Sequence, residues 1–82
     1  MSMAEVSHRL GRADDLALWR QMVAAVVRAG GRIADTGGGE GGNQGIEFIR
    51  FRMGAFSLSL ERGAADMVLR GDAEAMAAVL LP

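Results

Sequence analysis

Ile46-Glu47-Phe48-Ile49-Arg50-Phe51-Arg52-Met53-Gly54-Ala55-Phe56-Ser57-Leu58-Ser59-Leu60-Glu61 is the stretch on which the reading of this 82-residue chain turns. Its side chains alternate between apolar and polar on both sides of Gly54-Ala55, the period of a half-buried strand. A two-residue turn with glycine first is the preference of a type II′ hairpin. That turn sets the register: Met53 faces Phe56, Phe51 faces Leu58 and Ile49 faces Leu60, all on one apolar side. The other side pairs Arg52 with Ser57, Arg50 with Ser59 and Phe48 with Glu61. A one-residue slip would exchange the two faces and bury the arginines, so the register is strongly specified.

Moving outward toward the C-terminus, Arg62-Gly63-Ala64-Ala65-Asp66 reads as a second turn and Met67-Val68-Leu69-Arg70 as a further short strand of the meander. The phase of that strand is left open, with Met67 and Leu69 joining the polar side in one of its two settings. Asp72 then caps a short helix, Ala73 to Leu81, with Ala73, Met76, Ala77 and Leu80 as its apolar side.

Toward the N-terminus, Gly37-Gly38-Gly39-Glu40-Gly41-Gly42-Asn43-Gln44-Gly45 holds more backbone freedom than any other segment and is expected to be a mobile loop over 37–45. Arg32 to Thr36 is weakly alternating and bounded by glycine, which predicts a brief edge strand. Leu16, Trp19, Val23, Val26, Val27 and Gly30 form one stripe of an amphipathic helix, with Asp14 or Asp15 as its cap and Gly30-Gly31 as its stop. Trp19 is expected to anchor the core, with Met22, Met53 and Met76 filling gaps. Residues 1–13, with Val6 and Leu10 as the apolar members of the stretch Glu5 to Arg12, read as a flexible arm.

The resulting expectation is one small α+β domain over 14–82. It has an N-terminal amphipathic helix, an antiparallel meander of three to four strands centred on the 46–61 hairpin, and a short C-terminal helix, with the helices on one sheet face. A chain of this length supports a single core.

Composition narrows the chemistry. There is no cysteine, which excludes a disulfide framework, a thiolate nucleophile and a Cys-ligated metal. All nine basic residues are arginine, and with fourteen alanines and twelve glycines this reads as the codon bias of a GC-rich genome. The net charge of −1 lacks the basic excess of a nucleic-acid-binding domain. No apolar run approaches the roughly 18 residues of a membrane span, and the first residues lack the basic and apolar regions of a secretory signal, so cytoplasmic residence is the default expectation.

Gly37, Gly39 and Gly42 match G-x-G-x-x-G. They precede a strand, however, and a dinucleotide site needs the pattern to open a helix, so no nucleotide cofactor is expected. A Walker A site requires a lysine that this chain lacks. His8 is the single histidine and lies in the arm, Asp14-Asp15 diverge around a helix start, and Ser57 and Ser59 lie mid-strand without the sharp elbow of a serine hydrolase. Neither catalysis nor metal binding is expected.

What remains is surface. Phe48, Arg50, Arg52, Ser57, Ser59 and Glu61 share the polar hairpin face, and Glu40, Asn43 and Gln44 supply polar groups in the glycine loop. Arginine, phenylalanine and methionine are enriched at interface cores. The expected function is therefore a noncatalytic protein-binding module: an adaptor, a complex subunit or a stoichiometric inhibitor such as an immunity or anti-defence protein. The alternative is a nucleic-acid-binding accessory protein using Arg50 and Arg52 on the same face, since an aromatic beside arginines can serve as a stacking platform. The apolar hairpin face exceeds what one four-turn helix covers, so either the short C-terminal helix completes the layer or a second copy does, and a homodimer is a further expectation.

Overall fold

The computed structural model describes residues 5–43 and 46–80. In chain order these form β1 (Glu5–Arg12), α1 (Leu16–Arg28), β2 (Arg32–Asn43), β3 (Ile46–Met53), β4 (Phe56–Arg62), β5 (Asp66–Asp72) and α2 (Ala73–Leu80). The five strands make one sheet in the order β1-β5-β4-β3-β2, with every neighbouring pair antiparallel. The class is α+β.

The central hairpin has the register that the turn dictates. Met53 stands opposite Phe56, Phe51 opposite Leu58 and Ile49 opposite Leu60, while Arg52 faces Ser57, Arg50 faces Ser59 and Phe48 faces Glu61. Gly54 has φ +62°, the left-handed setting that a glycine-first turn requires.

The apolar side is the core. Phe51, Leu58, Leu60, Met67 and Leu69 are fully or almost fully buried and pack with Met22 and Val26 of α1 and with Ala75 and Met76 of α2. Trp19, expected to anchor the core, is only partly buried at the margin of this cluster, and Phe51 of the hairpin is instead the largest fully buried side chain. Because Leu60 stands opposite Leu69, the phase of β5 is settled: Met67 and Leu69 point into the core, and Val68 and Arg70 lie on the other face. Gly71 stands opposite Leu58 with φ +152°, where a Cβ would collide with the Ser57 carbonyl oxygen. Its missing side chain lets β4 and β5 approach each other under α2.

Several expectations are corrected. The sheet has five strands, not three or four. Glu5–Arg12, read as an arm, is an edge strand, so α1 is the second element of the fold and spans the sheet from one edge strand to the other. An edge strand is held by main-chain pairing with one neighbour, here β5, and needs few buried side chains, which is why Val6 and Leu10 suffice. A register shift at Leu10 brings Gly11 opposite Met67 and close under α1, where a Cβ would come within 2.8 Å of Leu18 Cδ2.

The brief strand expected at Arg32 to Thr36 runs on as β2 through Asn43, into the segment read as a loop; Gln44 and Gly45 lie outside the described residues. The β2–β3 ladder carries two register shifts, one between Ile33 and Asp35 and one between Gly38 and Asn43, and the second accommodates the glycine run.

Both helix faces are rotated from the expected stripes. In α1 the buried residues are Met22 and Val26, flanked by Leu18, Trp19 and Val23, whereas Leu16 and Val27 are half exposed. In α2 Ala75 and Met76 are buried, with Val79 and Leu80 beside them, and Ala73 and Ala77 face outward. The caps follow the sequence: Asp15 Oδ1 accepts from the Leu18 amide at 3.0 Å, and Asp72 Oδ1 accepts from the Glu74 amide at 2.9 Å.

Candidate functional site

With both helices packed on the apolar side, the opposite face of the sheet is open. Successive residues of a strand alternate faces, so this surface collects the polar half of every strand. β3 contributes Phe48, Arg50 and Arg52, and β4 contributes Ser57, Ser59 and Glu61. Val68 and Arg70 come from β5, Ser7 and Arg9 from β1, and Arg32 and Asp35 from β2. The six hairpin residues expected to share a face do so.

Charge on this face is organised in two regions. Across β1, β5 and β4 each arginine is met by an acceptor or a carboxylate, while Glu5 stands opposite Asp72 as a like-charge pair at the end of the β1–β5 ladder. Arg9 Nε donates to Asp66 Oδ1 at 2.8 Å, Arg70 Nε donates to the Ser7 hydroxyl at 3.1 Å, Arg70 Nη1 lies 3.4 Å from Glu61 Oε1, and the Ser59 hydroxyl donates to Glu61 Oε2 at 3.0 Å. Arg70, Glu61 and Ser59, together with Glu5, Arg50 and Ser57, line a shallow depression of about 240 Å³.

At the β2–β3 side the balance is different. Arg32 stands directly opposite Arg52, a like-charge cross-strand pair, and neither has an ion-pair partner among the described residues. Their neighbour Arg50 makes a loose, half-exposed pair with Asp35 at 3.7 Å and lies over the Phe48 ring at 5.3 Å from its centroid. Like charges facing one another in a ladder oppose folding, so this strip of three arginines against one aspartate is a poor choice for stability alone. Chemically it offers planar, forked N–H donors beside an aromatic face, the combination that recognises carboxylates and other flat anions.

A second, larger depression of about 580 Å³ lies at the opposite end of the β3–β4 hairpin from Gly54, with Arg62 and Glu47 in its wall. Its charged groups are committed to one another. Arg62 Nε donates to Glu47 Oε1 at 2.8 Å, its Nη2 lies 2.6 Å from the same oxygen, its Nη1 reaches the Ala13 carbonyl oxygen at 3.3 Å, and its guanidinium stacks over Trp19 at 5.0 Å. This cluster ties α1 and the segment after β1 to the hairpin.

Of the loop residues, Asn43 pairs along the backbone with Ile46 beyond Phe48, and Glu40 lies within β2; Gln44 falls outside the described residues. His8 is an exposed residue of β1, opposite Leu69. No group of three or more histidine or acidic residues among the described residues stands close enough to hold a metal ion, and no helix among them is long and apolar enough to cross a membrane.

The sequence reading missed Arg32, Asp35 and Arg70 as members of this face. Arg70 was within reach: carrying the hairpin register through the Gly63 turn places it opposite Ser59. Arg32 needed knowledge that β2 pairs with β3. No family model matches the chain, and no curated protein or solved structure resembles it significantly.

Proposed function

We propose that the chain is a noncatalytic protein-binding module, an adaptor, subunit or stoichiometric inhibitor, that docks an acidic surface of another protein on its open sheet face. The observation that carries this reading is the Arg32–Arg52 opposition beside Arg50 and Phe48. A carboxylate-bearing partner would relieve the repulsion, and Phe48 would add apolar contact next to the charged groups. The paired network of Arg70, Glu61, Ser59 and Ser7 gives the same face a fixed hydrogen-bonding rim.

Nucleic acid is the second reading, supported by the Phe48–Arg50 stack. It is disfavoured by the carboxylates interleaved on the face, Asp35 and Glu61, which would repel phosphates. Affinity capture of the tagged chain from its native cells at moderate salt, read by mass spectrometry and by the 260/280 nm absorbance ratio, tests the proposal. One stoichiometric protein free of nucleic acid supports it. An eluate rich in nucleic acid, whose retention falls steeply with salt, favours the second reading.

A further inference from the structure

We infer that strand β1 pairs with β1 of a second copy of this chain, antiparallel, about a two-fold axis at Ser7, so that two five-stranded sheets join edge to edge. The two edges of the sheet are unlike. β2 is interrupted by two register shifts, the kind of irregularity that blunts an edge against pairing. β1 is regular from Glu5 to Arg9, where five consecutive residues pair in step with β5 and all five are exposed. Among the described residues its outer main-chain groups have no neighbouring strand.

The sequence of that regular stretch is self-complementary. Two-fold pairing that keeps both open faces on the same side and uses all five residues places Ser7 opposite Ser7 of the second copy. It also sets Val6 opposite His8, and Glu5 opposite Arg9 at both ends. Each Glu5, which has no ion-pair partner among the described residues, then meets the guanidinium that already bonds Asp66. On the core side the exposed Val6 is covered by the imidazole of His8. Centring the axis on Val6 or His8 shortens the ladder or runs it into the register shift at Leu10. The joined sheet has ten strands and presents two arginine strips on one continuous surface. This goes beyond the docking reading and is independent of it.

Five residue pairs make a small interface, so the dimer should dissociate in a range on the order of 10–100 μM. Light scattering across that range should show an average mass rising from 8.6 kDa toward twice that value. Glu5→Arg and Arg9→Glu should each weaken self-association at least tenfold, whereas their equimolar mixture, which restores opposite charges at both ends, should associate as the native chain does. Because the chain has no cysteine, Ser7→Cys introduces a single thiol on the axis and should oxidise to a covalent dimer, while Glu5→Cys should not. A mass that stays at the monomer value throughout overturns the inference, as does failure of the mixture to associate or cross-linking from position 5 as readily as from position 7. Circular dichroism of each variant establishes that the fold is intact.

Discussion

Arg32 of β2 and Arg52 of β3 stand directly opposite one another on the open face of the sheet, cation against cation, at the point where the sheet has no helix over it. Everything proposed for this protein's function rests on why such a pair is there. Cross-strand like charges cost folding free energy, and elsewhere on the same face each arginine is met by a carboxylate: Arg9 by Asp66, Arg70 by Glu61, Arg50 more loosely by Asp35. The pair is therefore where stability and function should part.

Replacing Arg52 with threonine removes the repulsion and adds a residue suited to strands. The free protein should be stabilised by a few tenths of a kcal/mol in urea denaturation, while its partner binds more weakly. A loss of stability instead would mean that the arginine stem packs on the sheet to greater effect than its charge repels.

Trp19 is the single tryptophan, so its fluorescence reports on the Arg62 cluster. Arg62→Ala removes a stack, a partly exposed ion pair with Glu47 and a bond to the Ala13 carbonyl. The expected cost is about 1–2 kcal/mol, modest because solvent screens the exposed part of the pair, together with a red shift of the emission. An unchanged spectrum would show that the indole is held by the core alone.

Glycine is required at 71 and merely convenient at 54. Gly71→Ala combines an unfavourable φ with a collision against the Ser57 carbonyl and should cost more than about 2 kcal/mol. Gly54→Asn, at a turn with open space around it, should cost less than about 1 kcal/mol. Thermal melts of the two variants make the comparison.

The phase of β5 predicts a sharp contrast between neighbours. Leu69→Ala empties a fully buried site and should cost about 2–5 kcal/mol, whereas Val68→Thr on the open face should stay within about 0.5 kcal/mol. Equal effects in denaturation would place the strand in the other phase.

The hairpin was legible in the sequence because a two-residue turn and two alternating strands leave one register that keeps every arginine out of the core. The same logic assembled Phe48, Arg50, Arg52, Ser57, Ser59 and Glu61 on one surface. β1 was not legible, since an edge strand is stabilised mainly through its backbone, and Val6 and Leu10 give no periodic signal of that. Arg32 and Asp35 joined the face only through long-range pairing of β2 with β3, which no local pattern encodes. The face of α2 was ambiguous for a different reason: with alanine at 73, 75, 77 and 78, burial is decided by where the helix packs on β4 and β5.

The β2–β3 arginine strip is the proposed surface of partner recognition. Its most direct test is the affinity of the captured partner for the native chain and for Arg50→Glu/Arg52→Glu, measured side by side with circular dichroism confirming equal helix and sheet content. The expected result is an intact fold with at least tenfold weaker binding, because the strip changes sign. Unchanged binding in the folded double variant would show that partner recognition lies elsewhere on the molecule.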